Sequence, residues 1–293
     1  MFWMLLLTFL ATQRKKMDFT LRIYRRLLSC LLHRGYHFLT FEQYCEQKSS
    51  PHSPFASSPD RLITSSPHRP KFILLRHDVD LKAANSLMTA QIEHELGIRA
   101  SYYFRVVPQS NQPDIIRAIA DLGHEIGYHY EDMAIMHGNA EQAYQHFQQQ
   151  LTYFRQFYPV RTICMHGAPT SQWDGNDLWK HYNYRDLGII GEPYFDIDFS
   201  QMFYLTDTGR CWDGYKVSVR DKIPVYQDEW NAQGLVYHST QDIIHAAEQG
   251  SLPPCIMITT HPQRWTSKWF AWFKELLTQN AKNIIKRLFF VKK

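Results

Sequence analysis

The sequence has few cysteines, and none of them stands in a disulfide or metal-binding pattern. The five are scattered at positions 30, 45, 164, 211 and 255 and contain no C-x-x-C pair. This argues against a disulfide framework and against a structural zinc site, and it fits a reducing compartment. We therefore expect a cytoplasmic protein.

The sequence also lacks an apolar run long enough to span a membrane. Residues 2–11 are apolar, but a spanning helix needs about 20 such residues. The basic residues Arg14, Lys15 and Lys16 follow this run, whereas in a secretory signal the positive charge comes first. Two hypotheses stay open for residues 1–16: a marginal membrane-associating tip, which would make the protein membrane-peripheral, or upstream sequence that is not part of the natural product.

A concentrated basic patch is missing as well. The net charge of +4 and the pI near 8.7 are mild, and no basic run with the structure of a nucleic-acid motif occurs. We expect no nucleic-acid partner. Aromatic residues are abundant at 15%, which suits a carbohydrate-binding cleft, although most aromatic rings in any protein belong to its core.

Short apolar runs alternate with helical patterns along most of the chain, which is typical of parallel βα units. Residues 17–48 are expected to form a helical N-terminal extension, and the proline- and serine-rich stretch 49–70 a surface loop. The segment 207–230 reads mostly as loop. A final helix from Trp265, rich in Trp, Phe and Lys, is expected to pack its rings on the rest of the domain, with a membrane surface as the alternative. Strands are predicted at 72–75, 100–107, 124–129, 162–166, 187–191, 202–206 and 255–259, and helices at 83–96, 114–122, 140–157 and 242–249.

Potential metal ligands follow several of these strands. Asp78 and Asp80 come after the first, and His129, His166 and His261 come after three others. Because the carboxyl ends of parallel strands share one edge, these side chains are expected to converge. Zinc accepts imidazole nitrogen and carboxylate oxygen, and a catalytic zinc keeps a position open for water. Of two neighbouring aspartates, one can bind the metal while the other serves as a base.

These motifs carry a family resemblance. Asp78-Val-Asp80, the run Gly123-His-Glu-Ile-Gly-Tyr-His129 and Thr260-His-Pro262 resemble the motifs of the polysaccharide deacetylase superfamily, the nodulation-type carbohydrate esterases, in the branch whose first motif reads His-Asp-Val-Asp. The resemblance covers about residues 71–265. It implies a distorted (β/α)7-type barrel with parallel strands over 71–293, one divalent metal, and an acetylated saccharide as substrate. By position it implies Asp78 as general base, Asp80 and His129 as metal ligands and His261 as general acid.

One position departs from the family pattern. A second metal-binding histidine usually follows the first by four residues, and here Met133 occupies that position. A thioether is a poor zinc ligand beside oxygen donors. His166 is the favoured replacement; Glu131 or Asp132 could instead supply a carboxylate, or no metal binds.

Other residues near the strand ends are candidates for substrate binding. Arg105 can hold a carboxylate or balance charge, and three aromatic side chains in loops could stack on sugar rings: Trp173, Tyr194 and Trp212. The sequence thus predicts a metal-dependent hydrolase that removes an acetyl group from a sugar. A metal-free amidohydrolase on the same barrel and a non-catalytic glycan-binding protein remain as alternatives.

Overall fold

The computed structural model describes residues 17–50, 70–168, 171–212 and 223–289. The hypotheses for residues 1–16 and for most of the loop at 49–70 fall outside these ranges. The strands are β1 His37–Leu39, β2 Phe72–Val79, β3 Ser101–Phe104, β4 Glu125–Tyr130, β5 Ile163–Met165, β6 Phe203–Thr206 and β7 Cys255–Thr260. The α-helices are α1 Leu21–His33, α2 Phe41–Ser49, α3 Ala83–Glu95, α4 Pro113–Asp121, α5 Asp132–Ile135, α6 Ala140–Phe154, α7 Pro193–Asp196, α8 Pro224–Ala232, α9 Thr240–Gln249 and α10 Trp269–Phe289.

All seven strands belong to one sheet, and every described pairing is parallel. The order is β5-β4-β3-β2-β7-β6, and β1 pairs with the first half of β2. The sheet curls into a half-barrel, so the predicted α/β fold with a distorted parallel barrel is confirmed. Helices follow most strands because each parallel connection must cross back over the sheet.

The N-terminal extension is tied closely to the sheet. Tyr24 of α1 is fully buried, and its hydroxyl donates to the buried Glu93 of α3. Thr40 begins α2 with a capping box that it forms with Gln43. The strand between these helices, β1, extends the sheet beside β2. The segment 17–50 therefore contributes to the same folded unit as the barrel.

Strand β2 separates two packed layers because its side chains alternate in direction. Ile73, Leu75 and Val79 pack with the surrounding helices in the larger core. Phe72 and Leu74 point the other way, into a smaller cluster inside the curl. Every residue of β2 is buried, as expected for a central parallel strand.

The outer edge of β5 lacks a full partner strand. Gly191 forms a single parallel bridge with Thr162 just before β5. Beyond it the side chain of Glu192 replaces a strand, because its carboxyl group accepts hydrogen bonds from the backbone amides of Met165 (3.0 Å) and Tyr194 (2.6 Å). Burial raises the pKa of Glu192 to about 8. Strands β5 and β6 are the two ends of the strand order, and on the β5 side the Glu192 carboxyl group accepts the edge hydrogen bond of Met165.

Three predictions about local structure were wrong. Residues 187–191 form only the one bridge, because Glu192 takes the hydrogen bond that a longer strand would make. Part of the stretch predicted as loop is helix α8, which begins with Pro224. The rings of α10 do not all pack inward: Trp272 is half-buried, whereas Phe270 is 82% exposed. None of the described helices is both long and apolar enough to cross a bilayer.

Candidate metal and catalytic site

The candidate site lies inside the curl, where the sheet register brings residues of one parity together. Asp78 is level with Tyr103 of β3, and Tyr103 is level with Gly127 of β4. His129 lies two residues further along β4, on the same face as Gly127. A Cβ atom on Gly127 would lie 2.3 Å from the ring of Tyr103. Glycine is therefore required there for the Tyr103 ring to fill the space below the site.

Asp78 is held by an arginine from its own strand. Arg76 donates from Nε to Oδ1 (2.8 Å) and from Nη2 to Oδ2 (2.6 Å), and both side chains are buried. Burial alone would raise the pKa of Asp78, but the guanidinium of Arg76 outweighs it and holds that pKa well below its usual range. Asp78 is therefore an ionised carboxylate at any working pH.

Asp80 and two histidines converge beside it. Asp80 Oδ1 lies 3.7 Å from Nε2 of His129 and 3.5 Å from Nε2 of His166. These three ligand atoms all lie within 4.8 Å of one another. Ligand atoms of Asp78, His129 and Cys164 also lie within 4.8 Å of one another. Asp78 is a poorer metal ligand than Asp80, however, because it already accepts two hydrogen bonds from Arg76.

Both imidazoles are oriented by hydrogen bonds on the opposite nitrogen. Nδ1 of His129 lies 2.9 Å from the backbone carbonyl of Cys164, and Nδ1 of His166 lies 2.9 Å from Glu131 Oε2. Because a carbonyl and a carboxylate only accept, each Nδ1 carries the proton and each Nε2 keeps its lone pair. Burial lowers the pKa of His129 to about 4, so this ring is neutral near pH 7.

This arrangement fits a divalent cation. Asp80 Oδ1 is buried and has no hydrogen-bond partner, although buried carboxylate oxygens are normally satisfied. Two lone-pair nitrogens face it, and no hydrogen-bond donor among the described residues does. A carboxylate oxygen with two imidazole nitrogens is a common ligand set for zinc. The hydrogen bonds behind the histidines are of the kind that orients metal ligands.

His261 reaches the site from the end of β7. Its Nε2 lies 3.9 Å from Asp80 Oδ2, and its Nδ1 lies 2.7 Å from Oδ1 of the buried Asp207. Asp207 also accepts from Arg264 Nη1 (2.6 Å) and Trp265 Nε1 (2.7 Å). Burial and Arg264 would lower the pKa of His261, but Asp207 outweighs them and raises it. The ring is thereby favoured in the protonated form.

The other candidate ligands for the position of Met133 point elsewhere. Met133 is 5% exposed and belongs to the hydrophobic core. Asp132 accepts from the Tyr128 hydroxyl at 2.9 and 3.0 Å, on the helix-covered side of the sheet. Glu131 lies near the site, but both of its oxygens accept from Arg105 or His166. Of the alternatives weighed from sequence, only His166 presents a lone pair to Asp80.

The predicted substrate-binding residues are dispersed. Arg105 forms a two-pronged ion pair with Glu131. Trp212 is only 3% exposed and donates to Thr240 Oγ1, so it lies in the core and not beside the cluster. Trp173 is half-buried beside His137, and Tyr194 is half-buried next to a small cavity that Arg76 also lines.

Asp207 was missed from sequence as a residue of the site, and Glu131 was assigned a different role. Asp207 follows β6 directly, so the rule that strand ends carry the chemistry could have found it. Glu131 was considered only as a ligand, and its support of His166 depends on a contact between neighbouring strand ends. His77 lies on the opposite face of β2 from the site, 2.8 Å from Glu93.

No protein-family model matches the chain, and no curated protein sequence matches it either. Several solved structures do, and those described below are CE4-family proteins, members of the polysaccharide deacetylase superfamily that the motifs resemble. A CE4-family pseudoenzyme from Bacillus anthracis is 13% identical over 78% of this chain and 66% of its own, with a TM-score of 0.41. Its mutant with restored enzymatic activity gives 13% identity, 78% and 68% coverage and a TM-score of 0.42.

A peptidoglycan N-acetylglucosamine deacetylase is 14% identical over 72% of this chain and 82% of its own, with a TM-score of 0.37. Identities and TM-scores this low carry no argument about function.

Proposed function

We propose that this protein is a metal-dependent hydrolase that removes an acetyl group from a sugar. Asp80, His129 and His166 would hold one divalent cation, with zinc favoured by the ligand set. The observation that carries the proposal is the unpartnered, buried Oδ1 of Asp80 facing two imidazole lone pairs. An ionised aspartate and a histidine with a raised pKa lie beside it, as hydrolysis requires.

The cation, when bound, supplies a Lewis acid that polarises an acyl carbonyl and makes water more acidic. Asp78 is the proposed general base. Its low pKa makes it a weak acceptor for ordinary water but a suitable one for acidified water, and Arg76 fixes both of its oxygens in place.

His261 is the proposed general acid. Asp207 binds its Nδ1, so the proton it can give up is the one on Nε2, which faces Asp80 and the interior of the curl. Donation of that proton to the departing nitrogen or oxygen of the sugar would complete hydrolysis. The buried ion pair of Asp207 with Arg264 keeps the imidazole oriented.

Substrate contacts and location are proposed more coarsely. Trp173 and Tyr194 are half-buried aromatic residues that we assign to stacking on a saccharide. Arg105 acts through Glu131 and therefore positions His166. All five cysteines are free thiols, which favours a reducing, cytoplasmic location.

Metal analysis of the wild type beside His166→Ala tests the metal site. We expect about one zinc per wild-type chain and a large loss in the variant, because two ligands bind zinc far more weakly than three. His245→Ala, an exposed histidine of α9, is the matched control and should retain the metal. Equal metal content in wild type and His166→Ala would refute the ligand assignment. An active wild type without metal would instead favour the metal-free amidohydrolase.

Asp78→Asn tests the base. Release of acetate from N- and O-acetylated oligosaccharides should fall by about 10²-fold or more while the metal content stays unchanged. Turnover at the wild-type level would remove Asp78 from the mechanism.

A non-catalytic glycan-binding protein is the second candidate. One observation favours it: Arg76 engages both oxygens of Asp78, which weakens Asp78 as a base. Saccharide binding by the metal-loaded wild type without acetate release from any acetylated sugar would support this candidate.

A further inference from the structure

The C-terminal helix α10 docks on the barrel through polar groups. Trp272 Nε1 donates to the Asp18 carbonyl (2.6 Å), and Asn283 Nδ2 donates to the Gly209 carbonyl (2.7 Å). Gln279 is buried, and Glu275 pairs with Lys82 at 2.7 Å. The side of α10 that faces the protein is therefore mainly its polar side.

The apolar side of the same helix faces solvent. Its side chains recur at the spacing of one helical face, and the rings of Trp269 and Phe273 stack 5.6 Å apart. This apolar stripe consists of Trp269 (36% exposed), Phe270 (82%), Phe273 (43%), Leu277 (55%) and Ile284 (60%). Single exposed apolar residues are ordinary, but an aligned set on one helix face indicates an interaction surface.

Charge is segregated toward the two ends of the sequence. Residues 1–16 and 268–293 together hold ten of the chain's 32 basic residues and one of its 28 acidic residues, Glu275. The remainder, 17–267, therefore holds 22 basic and 27 acidic residues and is net negative. The one acidic residue of the end segments is already paired with Lys82. The partner of the stripe should thus be both apolar and anionic.

The point where residues 1–16 join the described chain lies at the foot of α10. The Asp18 carbonyl accepts from Trp272, and the Phe19 carbonyl accepts from the Thr266 amide at 3.2 Å. Asp18 and Phe19, which follow the apolar and basic stretch 1–16 in the sequence, thus lie beside the first turn of α10. Stable membrane association requires two signals, and α10 with the residue before it carries both an apolar stripe and the exposed lysines Lys268, Lys274 and Lys282.

We propose that the stripe on α10 lies in the interface of a bilayer containing anionic lipids. Apolar side chains would enter the boundary of headgroups and acyl chains while the exposed Lys268, Lys274 and Lys282 meet lipid phosphates. Neither the metal site nor any catalytic step enters this inference, so it stands apart from the proposed hydrolase activity. Two other coverings of the stripe, a second copy of the chain and residues 1–16 themselves, are distinguished by the experiment.

The test is co-sedimentation of the full chain with vesicles. Wild-type protein should bind vesicles of phosphatidylcholine and phosphatidylglycerol, and binding should weaken with added salt and on pure phosphatidylcholine. Phe270→Glu/Leu277→Glu should weaken binding by ~10-fold or more, because two apolar anchors are lost and two negative charges are gained. Phe195→Glu/Val225→Glu, with the same charge change at exposed apolar residues elsewhere, should bind like wild type.

Several results would overturn the proposal. One is no binding of wild type to anionic vesicles, and another is equal binding by the α10 variant. A wild-type dimer that the α10 variant converts to monomer would assign the stripe to a second copy. A large fall in thermal stability of the α10 variant alone would mean that the stripe is already covered within the chain, because truly exposed positions tolerate glutamate.

Discussion

Replacing Arg76 by methionine should destabilise the fold strongly and in a pH-dependent way. The Arg76 and Asp78 side chains are 3% and 2% exposed, so the substitution leaves a buried carboxylate without its cation. Loss of one partner of a buried ion pair costs about 3–5 kcal/mol, and the low exposure means that solvent screening does not reduce this figure. Urea denaturation at pH 7, followed by tryptophan fluorescence with a chelator present, measures the change.

The pH dependence provides the sharper test of the reasoning. In the wild type the pKa of Asp78 lies below that of the unfolded chain, about 3.9, so its stabilising contribution is present above that pH and is lost as the pH falls through the folded value. In Arg76→Met, burial should raise the pKa of Asp78 above about 3.9. The ionised carboxylate then destabilises the folded variant at neutral pH. The loss in free energy of unfolding relative to the wild type should become smaller as the pH falls toward about 4, because the carboxylate becomes protonated.

Two further variants complete the design. Arg76→Met/Asp78→Leu removes both charges and should be more stable than Arg76→Met alone, because an apolar pair replaces the ion pair. Arg185→Met breaks the pair with Asp196 at a half-exposed arginine and should cost no more than about 1 kcal/mol. If Arg76→Met lowers the free energy of unfolding by less than about 1 kcal/mol, or by the same amount at pH 4 and pH 7, then Asp78 is not a buried, ionised carboxylate that Arg76 stabilises.

Two other predictions concern the surroundings of the site. Glu131→Gln removes the negative charge behind His166 and should lower zinc affinity about 10–100-fold in a chelator competition assay. An affinity within about twofold of wild type would exclude the role of Glu131 in orienting His166. Gly127→Ala places a Cβ against Tyr103 and 3.0 Å from the Thr162 carbonyl. It should lower the free energy of unfolding, measured by urea denaturation, by about 1–3 kcal/mol. An unchanged free energy of unfolding would mean that the Tyr103 ring can move aside.

The cluster of ligand candidates could be predicted from the sequence because the end of a strand is recognised from a short stretch, whereas the fold brings several such ends together. A short apolar run marks a strand, and parallel strands bring their carboxyl ends to one edge. Asp80, His129, His166 and His261 could therefore be grouped by their positions along the chain alone. His124 differs in parity from His129, and it contacts the Ala90 carbonyl and the Ala100 amide.

Other features depend on contacts that no local pattern encodes. The pairing of Asp207 with His261 joins residues 54 positions apart. Periodicity in α10 shows which residues share a face, but the docked face is chosen by Asp18, Gly209 and Lys82, all distant in sequence. The missed helix α8 begins with proline, a residue that ends helices in most positions yet is favoured in their first turn.

The contact of Glu192 with the edge of β5 has a consequence for variation in this fold. A strand partner for β5 would impose a register, so that insertion of one residue would turn every side chain to the opposite face. A carboxyl group that accepts hydrogen bonds from two backbone amides does not impose the two-residue periodicity of a strand. The segment between β5 and β6 can therefore gain or lose residues while Met165 keeps its hydrogen bond. A change of length on this side of the sheet would leave undisturbed the strands β2, β4 and β7, whose ends carry Asp80, His129 and His261.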